Sequence, residues 1–411
     1  MNNPVLLNKR MSNTTNKVRG FFLYVLSVLL LFYPYVIKDV YLPFMPVQMH
    51  YVALPLFVLT ILLSQTKGVD ANNKDVMLLF FIQAFGLFVV GLLHGNILPS
   101  IGYALEMLLA ISLIYLIEKR IGLMNFVNMY NGWILLMAIL GLIAFFLVTF
   151  TAFQPISIVK DQIDNRTIYN YLFSFSKSDI IWSTFRYAGF FDEPGAMGYF
   201  GIFALLFNKL FIKNTRFERI LLIALLFTFS LGYYAQLMLY LLLFYVVKMR
   251  THSRLTTLVL VTVVIAIAYY TKDTEYSGIY DSTIGRVETI QKVSAQGVEI
   301  DEYRYEVTET AKRIFLESPL FGSSKADVAY VSDNIYEPLA KYGIVGSLFI
   351  YSPFILLLIW GFNSKNKDLL KATAVMILGF WHRPFHPLLL YFFITYLFVV
   401  MANEYKRKGI Y

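Results

Sequence analysis

Ile220–Val247 reads ILLIALLFTFSLGYYAQLMLYLLLFYVV, and how this apolar run is divided sets the topology of everything after it. A membrane-crossing helix needs about 20 apolar residues, so the run is too long for one span and short for two. Its centre, Ser230-Leu231-Gly232-Tyr233-Tyr234, carries a turn signal. Read as one span, it would send Lys248, Arg250 and Lys406-Arg407-Lys408 to the outer side. Basic residues collect on the cytoplasmic side of membrane proteins, so two tightly joined spans are expected instead.

Working outward, further apolar runs fall at Gly20–Ile37, Tyr51–Ser64, Val76–Leu93, Ile97–Ile117, Gly132–Phe150 and Gly195–Ile212 on one side of it. On the other side lie Leu255–Tyr270, Tyr342–Trp360 and Leu369–Ala402. The last is interrupted by Trp381-His382-Arg383-Pro384-Phe385-His386-Pro387, where two prolines preclude a continuous helix. The first run follows Lys9, Arg10, Lys17 and Arg19 and lacks a small-residue cleavage site, so it reads as a retained span. The expectation is an all-α, polytopic integral membrane protein of about twelve transmembrane helices, residues 1–411 forming a single transmembrane domain. With both termini cytoplasmic, 21 of the 35 Lys and Arg fall on inner segments with about six acids. The outer segments hold 14 basic and 19 acidic residues.

Composition agrees. The chain is 58% hydrophobic with a mean hydropathy of +0.61, where soluble domains sit near 45–50% apolar. The net charge of +9 is explained by topology, so nucleic acid is not an expected partner; the bilayer is. The absence of cysteine excludes disulfides, a thiolate nucleophile and a cysteine metal site. With only five histidines and no clustered cysteine, a zinc site is not expected. Carboxylates are too sparse for a calcium loop, and neither a phosphate-binding glycine loop nor a Gly-x-Ser-x-Gly elbow occurs. No metal and no cofactor are expected.

The topology places two large loops on the outer face, residues 153–194 and 271–336, together with the Gly232 turn and the His382–Pro387 break. In the first loop, Arg186 and Glu193 stand at the start of a span. They read either as an interfacial anchor or ion pair, or as a phosphate site in which the guanidinium offers planar paired donors. Asp192 accompanies them, and Gly189 allows close backbone approach. The second loop contains Arg286 and then a helix expected at about residues 302–316. Tyr303, Val307, Ala311 and Ile314 fall on one face of it and Arg304 on the next. This helix is either an amphipathic cap on the membrane or part of a site. Asp333 and Asn334 either cap the following helix or supply a general base. Tyr336 adjoins them. Arg383 at the helix break is either an anchor or a phosphate contact, and Glu106 within a span is either functional or structurally paired.

Several of these residues form a pattern. Arg186-Tyr187-Ala188-Gly189-Phe190-Phe191-Asp192-Glu193-Pro194-Gly195 resembles the Arg-x-x-Gly…Glu-Pro element of the O-antigen polymerase (Wzy-type) and O-antigen ligase superfamily. Phe229-Ser230 is similar to its Thr-x-Ser element. Arg304, Pro319-Leu320-Phe321-Gly322, Asp333-Asn334-Ile335-Tyr336 and Tyr342-Gly343-Ile344-Val345-Gly346 resemble its second-loop pattern.

The resemblance implies a GT-C-like glycosyltransferase of the bacterial inner membrane, acting at its outer face without metal on undecaprenyl-pyrophosphate-linked oligosaccharides. A chain-length regulator and a flippase are partners that it implies. Ligase members carry a histidine where Asp333 stands, which favours a polymerase making O-antigen or capsular polysaccharide. Asp333, Arg186 and Arg304 are then the expected catalytic residues. Glu193, Asp192, Gly189, Arg286, Asn334, Tyr336 and Arg383 are expected to bind substrate. The alternatives are the ligase itself and a flippase; a transporter would concentrate ionisable residues at mid-membrane and show repeated halves, whereas mid-span charge here is nearly confined to Glu106.

Overall fold

The computed structural model describes residues 74–94, 97–151, 153–160, 167–171, 174–178, 186–191, 193–246, 302–324, 336–383 and 389–409, and a few positions between 269 and 280. The spans expected at Gly20–Ile37 and Tyr51–Ser64 lie outside these, as does that at Leu255–Tyr270 apart from its last two residues. The described chain is mostly helical: α1 (Lys74–Leu93), α2 (Ile97–Arg120), α3 (Leu123–Thr151), α4 (Pro194–Phe207), α5 (Thr215–Leu226), α6 (Leu231–Phe244), α7 (Glu302–Glu317), α8 (Glu337–Asn363), α9 (Lys367–His382) and α10 (Leu389–Arg407). Among the described residues, five helical segments are long and apolar enough to cross a membrane: Asp75–Leu93, Ser100–Lys119, Leu123–Thr151, Pro194–Ile212 and Glu337–Asn363.

The apolar run Ile220–Val247 divides as expected, but with shorter pieces. Helices α5 and α6 have 12 and 14 residues. At 1.5 Å per residue they extend about 18 and 21 Å, less than the roughly 30 Å hydrocarbon layer. The turn falls at Phe227–Ser230, slightly before the expected centre. Phe229 takes a left-handed φ of 49°, and Ser230 caps α6 by accepting from the Tyr233 N–H at 3.3 Å. The late carbonyls of α5 are satisfied by side chains. Tyr187 Oη donates to Ala224 O at 2.5 Å, Thr228 Oγ1 to Leu225 O at 2.8 Å and Tyr234 Oη to Leu226 O at 2.5 Å.

The first long loop departs from the all-α expectation. It folds a three-stranded antiparallel sheet, β1 (Ser157–Lys160), β2 (Thr167–Asn170) and β3 (Phe175–Ser178). Ser157 pairs with Asn170, and Asn170 with Phe175. Ile158, Val159, Ile168 and Tyr169 suit a pleated surface, a signal easily lost beside the many aromatics of this loop.

The chain divides into two compact units. One contains α1, α2, the start of α3 and α10. Here α1 and α2 approach so closely at Gly91 that a Cβ would meet Ser100 Oγ at 1.7 Å. Helix α10 is buried along Leu389–Ala402 and packs on α1 and α2. Tyr396 stacks on Phe80 and its hydroxyl donates to Gln83 Oε1. The Leu389 N–H donates to Glu106 Oε2 at 3.0 Å, so this mid-span carboxylate meets a free N–H at the start of α10.

The other unit contains the rest of α3, the sheet and α4 to α9. Three glycines of α4, spaced by three, admit three neighbours. A Cβ at Gly195 would meet the Arg383 guanidinium at 2.8 Å, one at Gly198 Tyr233 Cβ at 2.6 Å and one at Gly201 Leu225 Cδ1 at 2.4 Å. Beyond Phe207 the helix widens into a π-turn, Asn208–Ile212. At that end Glu218 Oε1 accepts from Lys209 Nζ at 3.2 Å, Tyr245 Oη at 2.5 Å and Tyr240 Oη. Helix α7 forms close to expectation, with Val307, Ala311 and Ile314 buried on one face. The C-terminal run breaks as its prolines require: α9 ends at His382 and α10 starts at Leu389.

Candidate functional site

The residues Arg186–Pro194 are held by backbone as much as by side chains. Phe175 of β3 donates its N–H to Gly189 O at 2.8 Å, and its carbonyl accepts from Ala188 N at 2.8 Å. The stretch thereby extends the sheet. Gly189 has a φ of 60°, a conformation that glycine reaches without a Cβ penalty. Its N–H donates to Ser174 Oγ at 3.0 Å, and a Cβ there would lie 3.2 Å from Met197 Sδ. Gly189 is thus required by the backbone and its packing.

Aromatic side chains fix the stretch to the bundle. Tyr187 lies on α3 at Gly141, where a Cβ would meet its ring at 2.2 Å. Phe191 stacks on Phe200 of α4 at 4.8 Å, and Phe190 lies 6.2 Å from Trp133 of α3. Tyr187 and Phe191 are fully buried. They leave Arg186 half-buried, near enough to Tyr234 of α6 to act on it electrostatically.

Glu193 precedes α4 in extended conformation, with Pro194 in the first helical turn. Its side chain makes no cap hydrogen bond; it forms an ion pair with Arg383, 190 residues away, through Glu193 Oε2 and Arg383 Nη2. The side chains are 20% and 7% exposed, so most of the water is excluded from both. Gly195 leaves space for the guanidinium. The sequence offered Arg186 as an ion-pair partner for Glu193; the ion pair seen in the structure is with Arg383. Arg383 extends from the end of α9, so the helix break serves to bring a cation to the start of α4.

Two α6 side chains join this neighbourhood without having been singled out in the sequence. Tyr233 packs on Gly198 of α4, and Gln236 packs on Gly379 of α9. Gln236 had a signal, as the one amide in the apolar run Ile220–Val247. Tyr233 had none beyond its place in the turn.

The second loop contributes a backbone clasp. Ile344 N donates to Pro319 O at 2.8 Å, Val345 N to Leu320 O at 3.0 Å and Ser323 N to Ala340 O at 2.9 Å. Gly322 and Gly343 meet there, with φ of 76° and 65°. Tyr336, a candidate for substrate contact, packs against Ala311, Ile314 and Ala340, where it ties α7 to α8. Arg304 lies on α7 as expected, with its side chain outside the described set; Asp192, Arg286, Asp333 and Asn334 also lie outside it. The structure thus joins Glu193 to Arg383, with Arg186 and Gly189 on the stretch that leads to Glu193. Among the described residues no group of three His, Asp or Glu is placed to hold a metal ion.

No curated protein and no solved structure gives a significant match to the chain. A family match does exist, and it spans α6, α7 and most of α5 and α8. Residues 219–358 match the Wzy_C family model, described as O-antigen ligase, and that match supports the O-antigen polymerase and ligase superfamily as the family of this chain.

Proposed function

We propose that the protein is a polymerase joining undecaprenyl-pyrophosphate-linked oligosaccharide repeat units into O-antigen or capsular polysaccharide. In this reading it has about twelve spans and GT-C-like topology, and it works at the outer face of the bacterial inner membrane with both termini cytoplasmic. The observation that supports the proposal is the Glu193–Arg383 ion pair at the start of α4, at the end of the stretch that begins with Arg186. A buried guanidinium, with the N–H groups of a helix start, suits the negative charge that develops on a pyrophosphate leaving group.

The acceptor sugar hydroxyl attacks the anomeric carbon of the donor. The bond from that carbon to the pyrophosphate oxygen breaks, and the carrier pyrophosphate leaves with the electron pair. Configuration inverts in this direct displacement. Arg186 and Arg383 hold the pyrophosphate, joined by Arg304 and Arg286 from the second loop. Asp333 takes the hydroxyl proton. Glu193, whose carboxylate is engaged by Arg383, is the alternative base. The arginines supply positive charge in place of a metal, so the proposed reaction proceeds without one.

The test is polymerisation of a purified lipid-linked repeat unit by the purified protein with chelator present. Polymer is the expected product; its absence, with the same protein active in transfer to a lipid core, would establish a ligase. The ligase is the second reading, favoured by the description of the matched family model. In cells, loss of polymer with retention of single-repeat glycan marks a polymerase, whereas polymer accumulating on the carrier marks a ligase.

A further inference from the structure

Lys213, Arg216 and Arg219 play no part in the chemistry above, yet the chain holds them together at a membrane boundary. The apolar segment Pro194–Ile212, long enough to cross a membrane, ends one residue before Lys213, and α5 turns back from Thr215. All three cations are exposed, and among the described residues none has an acidic partner.

The turn that carries them is tightly bonded. Lys213 takes a left-handed φ of 64°, with its N–H donating to Asn208 O at 2.5 Å. Asn208 and Asn214 exchange two hydrogen bonds: Asn208 Nδ2 donates to Asn214 O at 2.9 Å, and Asn214 N to Asn208 Oδ1 at 3.0 Å. Asn214 then caps α5, accepting from the N–H groups of Arg216 and Phe217 at 3.1 Å. Arg216, Arg219, Ile220 and Ile223 stand at i, i+3, i+4 and i+7, so they share one face of α5. Ile220 and Ile223 are 48% and 58% exposed. Glu218, the one acid of α5, falls on the opposite face, where it is buried and accepts from Lys209, Tyr240 and Tyr245. The exposed face therefore carries cations at the boundary and isoleucines farther along the helix, with no carboxylate between them.

We propose that Lys213, Arg216 and Arg219, with Ile220 and Ile223, form a binding site for one anionic phospholipid, its phosphate held by the cations and an acyl chain laid along the isoleucines. This inference does not rest on the polymerase reading. Charge and shape together select the ligand. Guanidinium groups offer paired donors to phosphate oxygens, and a zwitterionic headgroup would bring its own ammonium against three cations. Free phosphate matches the cations and leaves the isoleucines unused. The end of α10 supplies a contrast. Lys406, Arg407 and Lys408 are also exposed, but Lys408 pairs with Glu404 and the helix before them is buried along Leu389–Ala402. Charge without an exposed apolar face beside it fits a boundary anchor; charge continuous with one fits an amphiphile.

The test uses the full-length protein in detergent micelles, titrated with phosphatidylglycerol, with phosphatidylcholine of the same acyl chains, or with inorganic phosphate. Native mass spectrometry counts bound lipid, and Tm follows saturation. Wild type is expected to retain one phosphatidylglycerol and to gain Tm as it binds, with no comparable gain from the other two. Combining Lys213→Gln, Arg216→Gln and Arg219→Gln should weaken phosphatidylglycerol on the order of a hundredfold, and Ile220→Ser with Ile223→Ser about tenfold. Combining Lys406→Gln, Arg407→Gln and Lys408→Gln should leave its affinity at the wild-type value. Equal loss from the two triple variants would show diffuse charge attraction and overturn the proposal. Equal binding of the two lipids overturns it as well, as does protection by inorganic phosphate that matches phosphatidylglycerol, the mark of a simple ion site. Single Arg216→Lys and Arg219→Lys variants guard against a triple variant that does not fold. Each should bind phosphatidylglycerol several-fold more weakly through loss of the planar fork, and wild-type affinity in both would also overturn the proposal.

Discussion

Gly322 and Gly343 stand backbone against backbone: a Cβ on Gly343 would lie 2.4 Å from Gly322 N, and one on Gly322 would lie 2.6 Å from Gly343 N. Both have left-handed φ, and the chain on either side exchanges hydrogen bonds. Two motif fragments twenty residues apart thus turn out to be two sides of one contact. The contact anchors the end of α7 to the kink in α8.

Gly322→Ala and Gly343→Ala should each destabilise by more than the roughly 1–2 kcal/mol of a left-handed alanine, since neighbouring backbone blocks the new methyl group. Thermal unfolding of the purified protein reads this directly. An alanine variant with wild-type Tm at either position would show that the clasp is absent.

The Arg383–Glu193 pair predicts strong non-additivity. Glu193→Ala leaves a largely buried guanidinium without the Glu193 carboxylate, a loss of about 3–5 kcal/mol, whereas Glu193→Leu with Arg383→Met should cost less than the sum of the single changes. A double-mutant cycle on Tm supplies the coupling. Additive costs would mean that the two side chains do not interact.

Arg186→Lys and Arg304→Lys keep the charge but lose the planar fork, so long-chain polysaccharide should fall sharply in each. A lysine variant with wild-type polymer length removes that arginine from the mechanism. Asp333→Ala should abolish polymer, and full activity would assign the proton to another group.

Tyr187 joins the site stretch to α5 and α3. Tyr187→Phe removes its hydrogen bond to Ala224 O and should cost about 1 kcal/mol, with the ring still packed. Gly141→Leu should be worse, because the ring already occupies the space of a Cβ. Comparison of the two unfolding midpoints checks the order; the reverse order would show that Gly141 does not seat the ring.

Much of the helical plan was legible because it rests on local signals. Apolar length marks α1, α2, α3 and α8, and prolines mark the gap between α9 and α10. The period of Val307, Ala311 and Ile314 marks α7. The sheet was not legible, since four-residue strands among aromatics and charges look like a polar loop. The short length of α5 and α6 was also hidden, because an apolar run does not reveal how many of its residues go into the turn.

A multi-pass helical membrane protein with polar motifs clustered between spans follows from residue order alone, because long apolar helices satisfy their own backbone in hydrocarbon and a misplaced charge is costly there. Residue order also singled out Arg186, Gly189, Glu193 and Arg383 as unusual residues. The folded chain was needed to show that Glu193 pairs with Arg383, that Gly195 leaves room for that guanidinium, and that Tyr233 packs on Gly198 and Gln236 on Gly379. Pairing across 190 residues leaves no local trace in sequence; it depends on which helix faces meet, and that is settled by packing around glycines whose role appears only when the neighbouring side chain is in place.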